Sequence, residues 1–493
     1  MLMWLLWSSC IIKSMGLSLG SLPAGIHLPP AGWHAARHGI GNNCQGVNVV
    51  NGELDVIVIG CGFSGLAAAR RAVEEGARVL ALEARNRVGG RVMSRSVGGT
   101  VVELGAQWVG PGQTQVKELA RTLGVATQDR PSGGADLHYD LAAGSADPTN
   151  ISDQPPFDRS ALGLVVSMLD ELAETIDVHA PAGFDEARRL DTMTVASYCD
   201  AHLPAKAQPL VHAVCEGFIG VPEQVSMLHA LFYAKANGGF LSLMGLGTEP
   251  HDSEVFPEGA SLLAERMAES LSARVLMGRP VTRVAQTAAG VEVGVADGTT
   301  WSAGAVVVAL PPAVAEHIRF EPDLSAGRTI LQRRYLTSSD LKFQVVYDAP
   351  FWRDAGYSGS VIGPGFIVFD GSTAKTRGVL TGFFSAAESL RVAKQPCAAR
   401  KALVCQRMAQ FFGPRALEPI AYDDHYWLLE PYSRGCVAAP PPGVWSQVGA
   451  YLRGNEGRIF WAGAETSVHM PGQIEGALLA GQAAAREAMS RIG

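Results

Sequence analysis

Residues 54–91 read LDVIVIGCGFSGLAAARRAVEEGARVLALEARNRVGGR. A β-branched apolar run, Val56-Ile57-Val58-Ile59, enters Gly60, Gly62 and Gly65. An alanine-rich helix follows, and then a second apolar strand, Val79-Leu80-Ala81-Leu82, that ends in Glu83. This order and spacing are those of a dinucleotide-binding βαβ unit. Gly60 permits the tight turn out of the strand, Gly62 lets backbone approach a pyrophosphate, and Gly65 lets the helix lie against the strand. The helix N-terminus offers unpaired N–H groups and the positive end of its dipole to phosphate. Glu83 is placed to accept hydrogen bonds from ribose hydroxyls.

A second glycine-arginine element, Gly89-Gly90-Arg91, follows almost at once and points to a tightly held FAD more than to an exchangeable NAD. The chain has 493 residues, enough for two domains with a sizeable core. Its net charge of −7 argues against a broad nucleic-acid footprint. The eight cysteines are scattered with no Cys-x-x-Cys pair, which argues against a zinc framework or dense disulfide scaffold and favours a reducing, cytoplasmic setting. No metal site is expected. Residues 1–53 read as an N-terminal extension: either disordered, or a targeting segment with an apolar start but no basic region before it, or the product of a start placed upstream of Met15. No later run has the length of a membrane span, so no transmembrane anchor is expected.

Beyond the nucleotide unit the pattern alternates. Helices are expected over 162–178, 194–201, 207–217 and 225–236. Strands are expected over 273–276, 281–285, 290–295 and 305–310, the last stopped by Pro311-Pro312. Further strands are expected over 341–347 and 379–384, a helix over 397–412, and a small-residue helix over 474–489. The fold class is therefore α/β: an FAD-binding Rossmann-like domain (54–140, 250–312 and 433–493) with an inserted α+β substrate domain (141–249 and 313–432).

Four motifs in order carry a resemblance: EARNRVGGR at Glu83–Arg91, ELGAQWVGPGQ at Glu103–Gln113, VVVALPP at Val306–Pro312, and FWAGAETSVHMPGQIEGALLAGQAAAREA at Phe460–Ala488. Together they resemble the flavin-containing amine oxidases, and within them the monoamine oxidase branch. The resemblance runs from about Leu54 to the C-terminus. It implies FAD, with Ser64, Arg85 and Arg91 near the pyrophosphate and ribose and the backbone of Val281 toward the adenine. It implies Gly105, Ala106, Gln107 and Trp108 beside the isoalloxazine, Glu465 in a cofactor-contacting loop, and the backbone of Gln473-Ile474 facing the pyrimidine end. The helix that opens at Ile474 could by its dipole stabilise negative charge on a reduced flavin; its alanines and glycines equally suit plain core packing.

Lys342 sits in the alternating strand Leu341–Tyr347, where a lysine ordinarily belongs to a solvated face. The resemblance instead implies a lysine linked through water to flavin N5, whose charge favours the reaction with oxygen. Tyr432-Ser-Arg-Gly-Cys436 is similar to the segment whose cysteine is thioether-bonded to the flavin 8α-methyl, with Trp427 at its matching position. Arg434 and Val437 depart from that pattern, and a buried free thiol beside a dissociable FAD is the alternative. The two tyrosines that flank the amine in monoamine oxidases are replaced by Val437 and Gln473. Trp427, Trp108 and Phe240 are candidates for replacement aromatic surface. Val109-Gly110-Pro111 stands where amino-acid oxidases carry a carboxylate-binding arginine, and the histidine of polyamine oxidases is absent. The implied reaction oxidises a primary or secondary amine to an imine, then aldehyde or ketone, as O2 becomes H2O2, with Lys342, Trp427 and Gln473 as the catalytic candidates. The alternatives are a related flavin-dependent oxidase or desaturase of a non-amine substrate and a non-catalytic FAD scaffold. The expected partners are a small amine and O2; a homodimer is left open.

Overall fold

Four consecutive β-branched residues leave a strand no polar face, so it must be covered on both sides. β1 (Leu54–Ile59) is, with Val56 to Ile59 all buried. The computed structural model describes residues 54–492, apart from 132, 139–158, 206, 244–252, 364 and 374–375. The expectation for residues 1–53 lies outside the described residues. After β1 comes α1 (Phe63–Glu74), and then β2 (Val79–Leu82), parallel to β1 with Ile59 opposite Leu82. Gly76 closes α1: its N–H reaches the Val73 carbonyl and the Ala77 N–H the Ala72 carbonyl, each at 2.9 Å, which satisfies two orphan acceptors of the last turn.

On its other side β1 pairs in parallel with β3 (Thr300–Val308). β3 is long enough for two partners on its far edge. Thr300–Ala303 pairs antiparallel with Val291–Val295, and Val306–Val308 pairs parallel with Ile459–Trp461. The resulting eight-stranded sheet runs Arg319–Glu321, Val281–Gln286, Val291–Val295, β3, β1, β2, Val275–Leu276, with Ile459–Trp461 beside β3. The C-terminal helix Ile474–Ile492 lies on α1, so the last described helix covers the helix of the nucleotide unit.

The second sheet has six strands. β4 (Leu341–Tyr347) lies between Ala421–Tyr426 and Gly378–Phe384; Phe366–Asp370, Tyr357–Gly363 and Ala135–His138 follow. Alternation along β4 sends Leu341, Phe343, Val345 and Tyr347 into one core with Val404, Met408 and Phe411 of the helix Cys397–Phe412. The opposite face carries Lys342, Gln344 and Val346, and it is not solvated. Val346 packs on Val102, and the Gln344 amide donates to the Glu103 carbonyl. A third core is built from helices including Arg159–Glu174, Val195–His202 and Met227–Ala236.

The fold is α/β, with a parallel Rossmann-like sheet beside an antiparallel one. The expected bounds hold for β4 and for Cys397–Phe412. The strand expected over 305–310 is the second half of β3, which begins at Thr300. Two short strands pair across the expected domain division: Ala135–His138 joins the second sheet and Arg319–Glu321 the first. Tyr357–Gly363, Phe366–Asp370 and Ala421–Tyr426 are strands outside those expected. The last reads AYDDHY and is an edge strand. Its charges are met laterally, Asp424 by the Arg400 fork at 2.7 and 2.6 Å and Asp423 by Arg95 at 2.7 Å. Among the described residues no helix is long and apolar enough to cross a membrane.

Candidate active site

The turn after β1 is held by close backbone contact. Gly60 has φ +94°, and a Cβ on Gly65 would lie 1.8 Å from the Gly60 carbonyl oxygen, so neither position admits a side chain without rebuilding the turn. At Gly62 the nearest protein atom to such a Cβ is the Gly90 Cα, 3.7 Å away, so what a side chain there would fill is the space of an adjoining cavity. The N-cap of α1 is Gly62 itself, with no side chain over the first-turn N–H groups. Glu83 is buried, and its carboxylate accepts from the Cys61 N–H at 2.8 Å and the Arg85 N–H at 3.0 Å. These backbone donors hold it at the cavity wall as an acceptor. A glycine-lined gap, uncapped helix N–H groups and a fixed carboxylate are the donors and acceptors that a dinucleotide needs, so the residues present fit FAD.

The cavity measures ≈ 770 Å³. Gly60, Gly62, Ser64, Glu83, Arg85, Arg91, Gly105, Ala106, Gln107, Trp108, Val281, Lys342, Trp427, Cys436, Gln473 and Ile474 all line it. Gly65 and Glu465 do not. Gly65 lies under the turn. Glu465 sits behind Arg91, in an ion pair at 2.6 Å. Arg91 also donates to the Cys436 carbonyl at 2.6 Å, so one guanidinium ties the cysteine segment to the 463–466 turn. Ser64 Oγ accepts from the Gly463 N–H at 2.9 Å. Arg85 reaches Ser433 Oγ at 2.8 Å and pairs with Glu430 at 3.2 Å.

The plain reading of Lys342 as a solvated strand residue does not hold: it is 2 % exposed. Its Nζ donates to the Gly105 carbonyl at 2.7 Å and to Gln107 Oε1 at 2.5 Å, and lies 5.4 Å from the Trp108 ring centroid and 5.2 Å from that of Phe383. Burial lowers its pKa from the usual lysine value, against the attraction of the Glu103 carboxylate. Burial likewise raises Glu103, whose carboxylate accepts from the Ala260 N–H and Ser94 Oγ. Trp427 is buried and donates from Nε1 to the Leu104 carbonyl at 2.7 Å. Cys436 packs against the cluster Met93, Leu104 and Trp427, and burial pushes its thiol up to about 12.

The aromatic surface is not the one expected. Trp108 and Trp427 line the cavity, but Phe240 lies in the helical core. Its place is taken by Phe218, Tyr233, Phe369 and Phe383. Phe369 meets Trp108 edge-on at 5.3 Å. Tyr233 is hydrogen-bonded to Gln473, and burial raises its phenol. Phe383 was within reach of the sequence, since it stands directly across from Lys342 in a strand pair whose two members were both expected. Tyr233 was not, because Met227–Ala236 is buried nearly all round and has no apolar stripe to set one face apart. Asp340, two residues before Lys342, also lines the cavity and was missed.

The family model for flavin containing amine oxidoreductases matches residues 63–489. The chain belongs to this family. It is 32 % identical over 460 residues to amine oxidase [flavin-containing] B of Cavia porcellus, covering 90 % of this chain and 88 % of that one. Among solved structures it is similar to cyclohexylamine oxidase from Brevibacterium oxydans IH-35A, at 29 % identity and a TM-score of 0.83, covering 89 % of this chain and 99 % of that one. It is similar also to a wild-type putrescine oxidase bound to putrescine, at 28 % identity and a TM-score of 0.83, with the same coverage. This flavin amine oxidase family supports FAD as the cofactor and amines as the substrate class.

Proposed function

We propose that the protein oxidises a primary or secondary amine to an imine, which water converts to an aldehyde or ketone, while O2 is reduced to H2O2. When bound, FAD supplies the two-electron acceptor that no side chain can provide. The observation that carries the reading is a buried lysine, Lys342, fastened to the Gly105–Trp108 segment inside the cavity. Its positive charge has the role of stabilising negative charge as oxygen is reduced, in surroundings of low polarity where one charge counts for more than in water. Gly60, Gly62, Ser64, Arg85 and Arg91 frame the pyrophosphate, with Gly65 packed beneath their turn, Glu83 takes the ribose, and Val281 flanks the adenine. Ala106, Gln107, Trp108 and Ile474 border the isoalloxazine, with Glu465 orienting Arg91. Cys436 is the point of covalent attachment.

Trp427 forms one wall, and Gln473, held by Tyr233, offers the polar contact to the amine. Trp108, Phe218, Phe369 and Phe383 form an apolar enclosure that favours the neutral amine and an apolar substituent. We therefore favour an apolar, cyclic or aryl-alkyl monoamine, nearer in kind to cyclohexylamine than to putrescine, whose second ammonium would have to be desolvated. In this scheme residues 54–140, 250–312 and 433–493 serve the cofactor, and 141–249 with 313–432 serve the substrate.

The test is an anaerobic titration of the purified holo-protein with cyclohexylamine, a secondary cyclic amine, putrescine and an alkene of similar size. The apolar amines should bleach the flavin absorbance, and faster as pH rises toward the amine pKa, because the neutral form reacts. A flavin-loaded protein that no amine bleaches, or a rate flat with pH, refutes the reading.

A further inference from the structure

Cys436 reaches the cavity from a segment paired with the residues just ahead of β4. The Cys436 N–H donates to the Ser338 carbonyl at 3.2 Å, the Ser338 N–H to the Val437 carbonyl at 2.8 Å, and the Val437 N–H to Ser338 Oγ at 3.2 Å. Thr337 and Ala438 continue the ladder. Ser338 Oγ in turn donates to Asp340 Oδ2. This short ladder ties the segment that carries the carboxylate to the one that carries the thiol; both residues line the cavity, and the thiol feels the Asp340 charge.

We propose that Asp340 is the proton acceptor for Cys436 when the thiol becomes joined to the flavin. The inference rests on the covalent attachment proposed above and adds the group that makes it feasible. Burial pushes the Cys436 thiol up to about 12, with the Asp340 charge as the next contribution, so spontaneous ionisation near neutral pH is negligible. A base must take the proton as the bond forms. Burial also pushes Asp340 up to about 6, which makes it a stronger base than an exposed carboxylate yet leaves it ionised at neutral pH.

The step balances as follows. The 8α-carbon gives up one hydrogen as a proton to solvent, which opens it to attack, and Cys436 then passes its S–H proton to Asp340 as Sγ bonds to that carbon. The electron pair remains on the ring until dioxygen takes it, with two protons, as H2O2. The titratable groups that feel the Asp340 charge are Tyr426 on the neighbouring strand and Cys436 on the paired segment, and Cys436 in turn faces Arg91 and Lys342. Asp340 is the member of this set that is an anion at neutral pH and gains a proton near pH 6.

The experiment follows adduct formation after FAD is added to flavin-depleted full-length protein. Acid precipitation, intact mass and in-gel flavin fluorescence report the adduct; the visible spectrum reports uptake. Wild type should retain flavin in the pellet and Cys436→Ala should release it. Asp340→Asn should take up FAD but form adduct at least about 100-fold more slowly, and Asp340→Glu should recover most of the rate. The wild-type rate should fall as pH drops through about 6, and Asp340→Asn should lack that inflection. An Asp340→Asn rate equal to wild type overturns the role of Asp340 while leaving attachment at Cys436 intact. Wild type that binds FAD and releases all of it into the acid supernatant overturns both.

Discussion

Lys342 shows how a strand's period of two can bury a cation. Its core-facing neighbours Leu341 and Phe343 fix the register, and the hairpin strand Thr100–Glu103 with the following loop then covers the opposite face. The ammonium keeps two acceptors, Gly105 O and Gln107 Oε1, so burial weakens its hold on the proton without leaving it unpaired. The sign of the pH effect follows. A lysine whose pKa is lowered carries its charge below that value and loses it as pH rises, well before an ordinary lysine at 10.5. Reoxidation of the reduced enzyme by O2, measured by stopped flow, should slow as pH rises through this lowered pKa. Lys342→Met should be about 100-fold slower at neutral pH and show no such inflection. Equal rates for wild type and Lys342→Met would remove Lys342 from the oxygen reaction.

At the scale of elements, the nucleotide turn depends on two helices that touch backbone to backbone. A Cβ on Gly481 of the C-terminal helix would sit 1.9 Å from the Ser64 carbonyl oxygen of α1. Replacing a helical glycine with alanine ordinarily gains up to about 1 kcal/mol of propensity. Here the helices must also separate, an overpacking cost of about 1–3 kcal/mol, so Gly481→Ala should be net destabilising and should loosen FAD as α1 shifts. Calorimetry and FAD titration check this; a raised Tm would show that the helices part freely. Such contacts explain what could be read from residues alone. β1, α1 and β2 were legible because glycine spacing, β-branched runs and an alanine helix agree at every level. β4 was legible from alternation, but the environment of Lys342 was not, because period two says which residues share a face and nothing about what covers it. Asp340 escaped because an acid at a strand's start looks like turn chemistry. Ala421–Tyr426 escaped because an edge strand can carry charges that lateral arginines satisfy.

At the scale of the molecule, the cavity wall is assembled from segments far apart in the chain: the β1 turn and Glu83–Arg91, Gly105–Trp108, Arg279–Val281, Lys342, Trp427–Val437 and Gly463–Ile474. In the native state Arg91 already links two of them, to Cys436 and Glu465. A ligand spanning these segments binds only when they are assembled, so FAD should stabilise the whole fold by mass action, by about 2.7 kcal/mol at a concentration 100 times its dissociation constant. Cys436→Ala removes any covalent link and makes the equilibrium measurable. Its Tm should climb with the logarithm of FAD concentration and without a plateau. FMN lacks the adenosine half that Glu83 and Val281 are proposed to hold, so it should raise Tm less at equal concentration. If FMN matches FAD, the turn after β1 and Glu83 are not anchoring a nucleotide, whatever the glycine spacing suggests.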